Sequence, residues 1–205
     1  MIVIVDYGMG NVGAVANMLR KCQADVLISA AARDIEQADK LILPGVGAFD
    51  HGMQALRERA LIPLLEFKVF QCKTMILGIC LGMQLLTEHS EEGKERGLGW
   101  LDAATVKFKF SGPGAPLKIP HMGWNTLSCT ASVDGGMGGL DTSSRYYFAH
   151  SYHVLCRTDR DVCAKTLYGY EFASAVRRDN IFGVQFHPEK SHRYGMAFLR
   201  YFKEL

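Results

Sequence analysis

No two of the six cysteines (Cys22, Cys72, Cys80, Cys129, Cys156 and Cys163) stand at C-x-x-C spacing. That argues against a zinc ribbon and a thioredoxin-type redox pair. No apolar run approaches the ~20 residues that cross a bilayer. The net charge is only +2, and no basic block occurs. Nucleic-acid binding and polybasic membrane docking are therefore not expected. There is no internal repeat and no low-complexity linker. The 205 residues read as one domain, 1–205, long enough for a full core. The opening Met1-Ile2-Val3-Ile4-Val5-Asp6 lacks a basic leader, so it reads as a strand and not as a signal peptide. The thiols are then expected to be reduced, in the cytoplasm. Five of them read as packing residues. Cys80 is the exception.

Cys80 ends the stretch Thr74-Met75-Ile76-Leu77-Gly78-Ile79-Cys80 and precedes Leu81-Gly82-Met83-Gln84-Leu85-Leu86. An apolar strand runs into G-x-C-x-G and then into a helical pattern. This is the thiol counterpart of the nucleophile elbow. Glycines on both sides let a strand reverse into a helix without a Cβ clash. The tip residue is pushed out of the sheet at a helix N-terminus, where negative charge is favoured. A cysteine there is expected to have a lowered pKa. The Leu81 amide is placed to stabilise an oxyanion. Taken alone, Cys80 is equally well a small buried hydrophobe.

The first half alternates strands and helices. Ile2 to Val5 is a short apolar run, as in a strand buried on both faces. Gly8-Met9-Gly10-Asn11-Val12-Gly13 follows, with a helix from Val12 to Lys21. This formal G-x-G-x-x-G lacks the acid that a dinucleotide site needs after its second strand, Val26-Leu27-Ile28. Neither a nicotinamide cofactor nor a metal is expected. A short helix over 33–37 and a strand Lys40-Leu41-Ile42-Leu43 come next. The strand runs into Pro44-Gly45-Val46-Gly47, whose glycines allow amides to point into a cleft. Residues 55–69 read as helical with a break near Pro63. The elbow helix is expected to reach about His89. From Leu98 short strands take over, around 105–108, 117–119, 125–127, 145–148, 153–156, 162–166, 173–177 and 181–185. A last helix covers about 191–204. Gly112-Pro113-Gly114 and the glycines from Gly135 to Gly139 read as turns. The fold class is α/β. A mostly parallel central sheet is flanked by helices, and antiparallel strands are added in the second half.

The stretch Gln185-Phe186-His187-Pro188-Glu189-Lys190 supplies what a thiol nucleophile needs. On an extended backbone His187 and Glu189 point to one side, roughly 6–7 Å apart at Cα. A histidine can serve as base, and a carboxylate can orient it.

At these residues the chain resembles the class I, triad-type glutamine amidotransferases. Within them it resembles the glutaminase subunits that feed a cyclase of histidine biosynthesis. The resemblance spans the whole chain. It rests on Asp6 to Asn11, Leu43 to Phe49, Gly78 to Gln84, Pro120-His121-Met122-Gly123-Trp124-Asn125, Tyr147 to Tyr152, and Gln185 to Ser191. It implies that Cys80, His187 and Glu189 hydrolyse L-glutamine through a thioester. It also implies an oxyanion hole from Leu81 and from Val46 or Gly47. The substrate would lie among Gly47, Gln84, Glu92, Ser151 and Tyr152. Glu92 suits the α-ammonium of free glutamine. Ammonia is mostly ammonium at neutral pH, so it must be delivered to a second site, and none is visible in this chain. The implied partner is a (β/α)₈-barrel cyclase in a heterodimer, met by Asn11, Met122, Trp124, Tyr147 and Lys190. Low activity of the isolated chain is expected. The same chemistry serving a nucleotide-sugar amidotransferase of surface-polysaccharide synthesis is the alternative.

Overall fold

The computed structural model describes residues 1–110, 117–130 and 137–205. Five strands form the parallel part of a ten-stranded sheet: β1 (Ile2–Val5), β2 (Val26–Ser29), β3 (Lys40–Gly45), β4 (Met75–Cys80) and β12 (Ile181–Val184). Their order is β2-β1-β3-β4-β12. These are the apolar runs of the sequence, and helices cover both faces. That is why β1, β4 and β12 are buried almost throughout. Beyond β12 the sheet turns antiparallel through β11 (Tyr170–Arg178), β10 (Val162–Tyr168) and β7 (Ser128–Cys129). Off this path β9 (Tyr152–Cys156) pairs with β11 and with β5 (Ala103–Lys107). A separate two-stranded sheet joins β6 (His121–Thr126) and β8 (Arg145–His150). The α/β class, with antiparallel strands in the second half, is as expected.

The helices are α1 (Val12–Lys21), α2 (Ala32–Glu36), α3 (Phe49–Glu58), α4 (Leu61–Glu66), α5 (Leu81–Leu85) and α6 (His192–Glu204). Asn11 caps α1, its side-chain oxygen accepting from the Ala14 amide at 3.2 Å. The chain departs from the sequence reading in several places. Helix α3 starts at Phe49 rather than near residue 55, and buries Phe49, Gly52, Met53 and Leu56 along one stripe. The break before α4 falls at Ala60, whose φ is +52°, and not at Pro63. Pro63 lies in the first turn, where its missing N–H costs nothing. Helix α5 stops at Leu85, well short of His89. The Thr87 hydroxyl bonds the Gln84 carbonyl at 2.8 Å, and the Glu88 amide turns to Ala103. Leu117–Ile119 is not a strand. It leads into the cis Ile119–Pro120 bond, and the strand begins at His121. Cys72 and Cys129 are exposed, so they are not packing residues. Burial pushes the Cys156 and Cys163 thiols up to about 12. Gly112 to Gly114 and Gly135–Gly136 lie outside the described residues, while 137–139 form a turn.

Glycines set the spacing at the carboxyl ends of β3 and β4. A Cβ on Gly82 would run into the Leu43 carbonyl oxygen, and one on Gly78 would sit 2.7 Å from the Gly82 oxygen. Gly82→Ala is therefore expected to cost more than about 3 kcal/mol, read from the urea midpoint. Gly13, with nothing within 4 Å of its would-be Cβ, is the internal control. Gly13→Ala should be neutral or stabilising by up to about 1 kcal/mol.

Candidate active site

Three strands of the parallel sheet, β3, β4 and β12, end side by side, and the site is built on those ends. This is the edge where open α/β sheets form their crevices. Cys80 is the last residue of β4 and the residue before α5. Its φ is +54° and its ψ −108°, a conformation that costs a non-glycine residue about 1–3 kcal/mol. The surroundings enforce it. Gly78 and Gly82 let the turn close on itself. A Cβ on Gly45 would stand 2.7 Å from the Gly82 nitrogen and 2.8 Å from the Tyr7 hydroxyl. Tyr7 is fully buried and donates to the Pro44 carbonyl at 2.7 Å. Its own ionisation is pushed up by burial and by the negative field of Cys80.

His187 is carried on the loop after β12. Its amide bonds the Tyr147 carbonyl at 2.8 Å, and its carbonyl accepts from the Ser191 hydroxyl at 2.7 Å. The same hydroxyl accepts from the Tyr147 amide at 3.0 Å. Strand β8 thus pins the loop from both sides. The ring nitrogen Nδ1 lies 2.8 Å from Glu189 Oε1, with both side chains almost fully buried. On its other side the ring stands close enough to Cys80 for the thiol to act on its charge. The backbone between His187 and Glu189 is not extended as the sequence suggested. Pro188–Lys190 is a single 3₁₀ turn, and the turn brings the carboxylate back to the ring. Burial disfavours the charged imidazole, but Cys80 and then Glu189 outweigh it. Together they hold the ring's pKa up to about 10. Thiol, imidazole and carboxylate thus lie in the order that a nucleophile–base–orienter set requires.

A cavity of about 250 Å³ opens beside Cys80. It is lined by Val46, Gly47, Leu81, Gln84, Glu92, Ser151 and Tyr152, together with Pro120, Met122, Ala149 and His150. The structure brings together every residue that the sequence suggested for substrate and oxyanion. Gly47 has φ +125° and Val46 is half exposed. As the first residue of α5, Leu81 has an N–H with no acceptor inside the helix. Glu92 is fixed across the cavity by the Phe49 amide at 2.9 Å. Of the suggested interface residues, Met122 and Trp124 are well exposed on one face of β6. Trp124 meets Tyr147 edge-on at 5.8 Å, and the Lys190 ammonium stands 5.6 Å over the Tyr147 ring. Asn11 is exposed but already serves as the cap of α1.

Sequence reasoning missed Gln185, His150 and His121. Gln185 is fully buried, and its Nε2 lies 3.7 Å from Cys80 Sγ. One signal was present: Gln185 and His187 flank Phe186, so on a strand both face one side.

The sequence model of the family described as "Glutamine amidotransferase class-I" matches residues 3–203. A relative from Methanococcus maripaludis is 52% identical over 98% of each chain. It is called imidazole glycerol phosphate synthase subunit HisH 2. One from Pseudomonas aeruginosa bears the same name and is 47% identical over the full length of both. Among solved structures, PurLQS from Thermotoga maritima superposes with a TM-score of 0.71 at 20% identity. It covers 98% of this chain and 94% of its own, which is likeness of fold.

The raised His187 gives a pH signature. The folded form keeps a proton that the unfolded form loses near pH 6.5. The stabilisation is therefore complete below pH 6.5 and is lost as pH rises towards about 10. Within that window stability should fall by up to about 1.4 kcal/mol per pH unit. Urea unfolding of His187→Gln should show a flatter profile across the window. An unchanged slope would remove His187 as its source.

Proposed function

We propose a function from one premise: the chain belongs to the class-I glutamine amidotransferase family. It is the glutamine-hydrolysing subunit of imidazole glycerol phosphate synthase, in histidine biosynthesis, and works as part of a complex with a cyclase subunit. One observation carries the pathway. Relatives bearing that subunit's name match the chain end to end at about half identity. The chemistry is supported by the buried Cys80–His187–Glu189 set at the mouth of a cavity large enough for one amino acid.

Our reading of the reaction assigns each step to a residue. Glutamine lies in the cavity with its α-ammonium towards Glu92, and Gly47, Gln84, Ser151 and Tyr152 around it. Cys80 Sγ attacks the side-chain amide carbon as His187 holds the thiol proton. Negative charge builds on the amide oxygen, where the amides of Leu81 and of Val46 or Gly47 serve as donors. One such donor is worth about 3–4 kcal/mol. As the C–N bond breaks, His187 gives its proton to the departing nitrogen, and ammonia leaves. Water, deprotonated by His187, then opens the thioester to glutamate and restores the thiolate. Glu189 keeps the ring in the tautomer and orientation that both half-reactions need. No metal or cofactor takes part.

Ammonia is a nucleophile only while unprotonated, so it must pass to the acceptor site without equilibrating with water. The exposed Met122 lines the same cavity, and Trp124, also exposed, stands two residues further along β6 with Tyr147 and Lys190 beside it. Exposed aromatic and methionine side chains suit a partner interface. We assign this face to a (β/α)₈-barrel cyclase in a cytoplasmic heterodimer. Among the described residues no helix is long and apolar enough to cross a membrane. A second reading has its own observation. Both relatives carry the numeral 2 in their names. A second subunit of this kind is free to feed another acceptor, for which a nucleotide-sugar amidotransferase is the alternative.

The deciding experiment measures glutamate release from glutamine by the chain alone, with a histidine-pathway cyclase, and with cyclase plus its nucleotide ligand. Activity should be low alone and rise with cyclase and ligand. Cys80→Ala should lower it at least about 10⁴-fold. A chain that the cyclase fails to stimulate would keep the thiol chemistry and shift the assignment to the other acceptor.

A further inference from the structure

Gln185 has no part in the reaction as described above, yet its amide touches the sulfur. It stands one residue beyond β12, its backbone N–H held by the Ser174 carbonyl at 2.9 Å. Its Oε1 accepts from Gln84 Nε2 at 3.1 Å, and its own Nε2 faces Cys80 Sγ at 3.7 Å. Which end of an amide faces which neighbour is decided by partners, and here one carbonyl decides both. Gln84 Nε2 also lies 2.9 Å from the Tyr152 carbonyl oxygen. A carbonyl can only accept, so the Gln84 group facing it must be the NH₂. That same NH₂ points at Gln185, so the Gln185 atom it meets must be the oxygen. The Gln185 NH₂ is thereby left to face the sulfur.

The Tyr152 carbonyl is itself held from the other side. His150 Nδ1 donates to it at 2.7 Å, which leaves His150 Nε2 as an acceptor. His121 Nδ1 donates to it at 3.1 Å. Its remaining nitrogen, Nε2, accepts from Asn125 Nδ2 at 3.3 Å, and Asn125 is anchored on the Leu167 carbonyl at 3.0 Å. The donors are consistent only if both histidines are neutral. Burial secures this, pushing His121 down to about 4 and His150 well below its ordinary value.

We propose that Gln185 is a further catalytic residue: its amide N–H donates to Cys80 Sγ and favours the anionic sulfur, in an orientation imposed by the Tyr152 carbonyl of the glutamine-binding wall. The proposal rests on the reading of Cys80 as the glutaminase nucleophile. An N–H donor binds a thiolate more strongly than the neutral sulfur of a thioester. It therefore acts before attack, and again when deacylation restores the thiolate. No bond to Gln185 is made or broken. The proton goes from thiol to His187 and on to ammonia as before.

The test uses the full chain and reads Cys80 itself. Iodoacetamide alkylation is followed against pH by the mass of the Cys80 peptide, with exposed Cys72 as the internal reference. Gln185→Leu removes the donor, and Gln185→Glu turns an acceptor towards the sulfur. Gln185→Met stands in should the leucine variant fail to fold. Other ionisable groups acting on the sulfur, His187 and Tyr7, are unchanged in all three. The Cys80 profile should move up by about one pH unit in Gln185→Leu, and further in Gln185→Glu. Cys72 should not move. In the cyclase complex kcat for glutamine should fall about 10–100-fold, with KM within about threefold. Cys80 profiles that coincide with the wild type, whatever happens to kcat, would overturn the proposal and leave Gln185 a packing residue. A wild-type complex that releases no glutamate would overturn the glutaminase reading instead, and the alkylation shift would still report the hydrogen bond.

Discussion

The structure depends on a contact between backbones that no side chain could enter. At the ends of β3 and β4 the chain segments around Gly45, Gly78 and Gly82 press on one another. A single methyl group at any of the three would come within 2.8 Å of neighbouring main chain. That closeness makes Cys80 take a positive φ, because a gentler turn would need the room that the glycines have removed. Strain of about 1–3 kcal/mol at one residue is sustained by strands whose apolar faces are buried on both sides. Cys80 is thus presented to the cavity by the packing of the sheet and not by a flexible loop. Tyr7, bonded to the Pro44 carbonyl from behind, extends the same rigidity to β3, which leads into Val46 and Gly47.

Electrostatics then separate one histidine from three others. His150, His121 and His153 are buried among aromatic rings, and burial pushes each of them down. His187 is just as buried but stands between a thiol and a carboxylate, and is pushed up. Burial alone gives neutral rings that act as fixed donors and acceptors. Burial between two acidic partners gives a ring that holds a proton. A positive charge on His150 would leave it with two donors and break its bond with His121, so the neutrality of one pair protects the geometry around the other.

How much of this was legible in the sequence follows from what each signal measures. The parallel strands were legible because a strand covered on both faces must be apolar throughout. The elbow was legible because only glycine permits its turn. The start of α3 was not. Gly52 looks like a helix breaker, but it is there because a Cβ would come 3.1 Å from Leu85 of α5. That reason exists only after folding. The end of α5 was hidden for a similar cause, since the Thr87 hydroxyl competes with the backbone ladder for the Gln84 carbonyl. The His187–Glu189 pairing was legible from their spacing, but the 3₁₀ turn that makes it was not, because two residues two apart meet in either geometry. Gln185 was invisible as chemistry. A lone glutamine says nothing until its neighbours decide which way its amide faces.

That last point bears on why a core would hold amides and neutral histidines at all, when apolar side chains of similar size would pack as well. An unpaired buried amide costs about 1–3 kcal/mol, whereas a paired one costs little. The Gln84–Gln185 pair and the His150–His121 pair have their donors and acceptors matched, so they take little from stability. In exchange each fixes an orientation that apolar packing cannot, because a leucine in the place of Gln84 would fill the space and point at nothing. The network also starts and ends on main chain, at the Leu167 and Tyr152 carbonyls. Main chain inside a sheet moves only when the sheet moves. An orientation referred to it is held to the same tolerance as the strands that carry Cys80, and that is the tolerance the proposed attack by its sulfur requires.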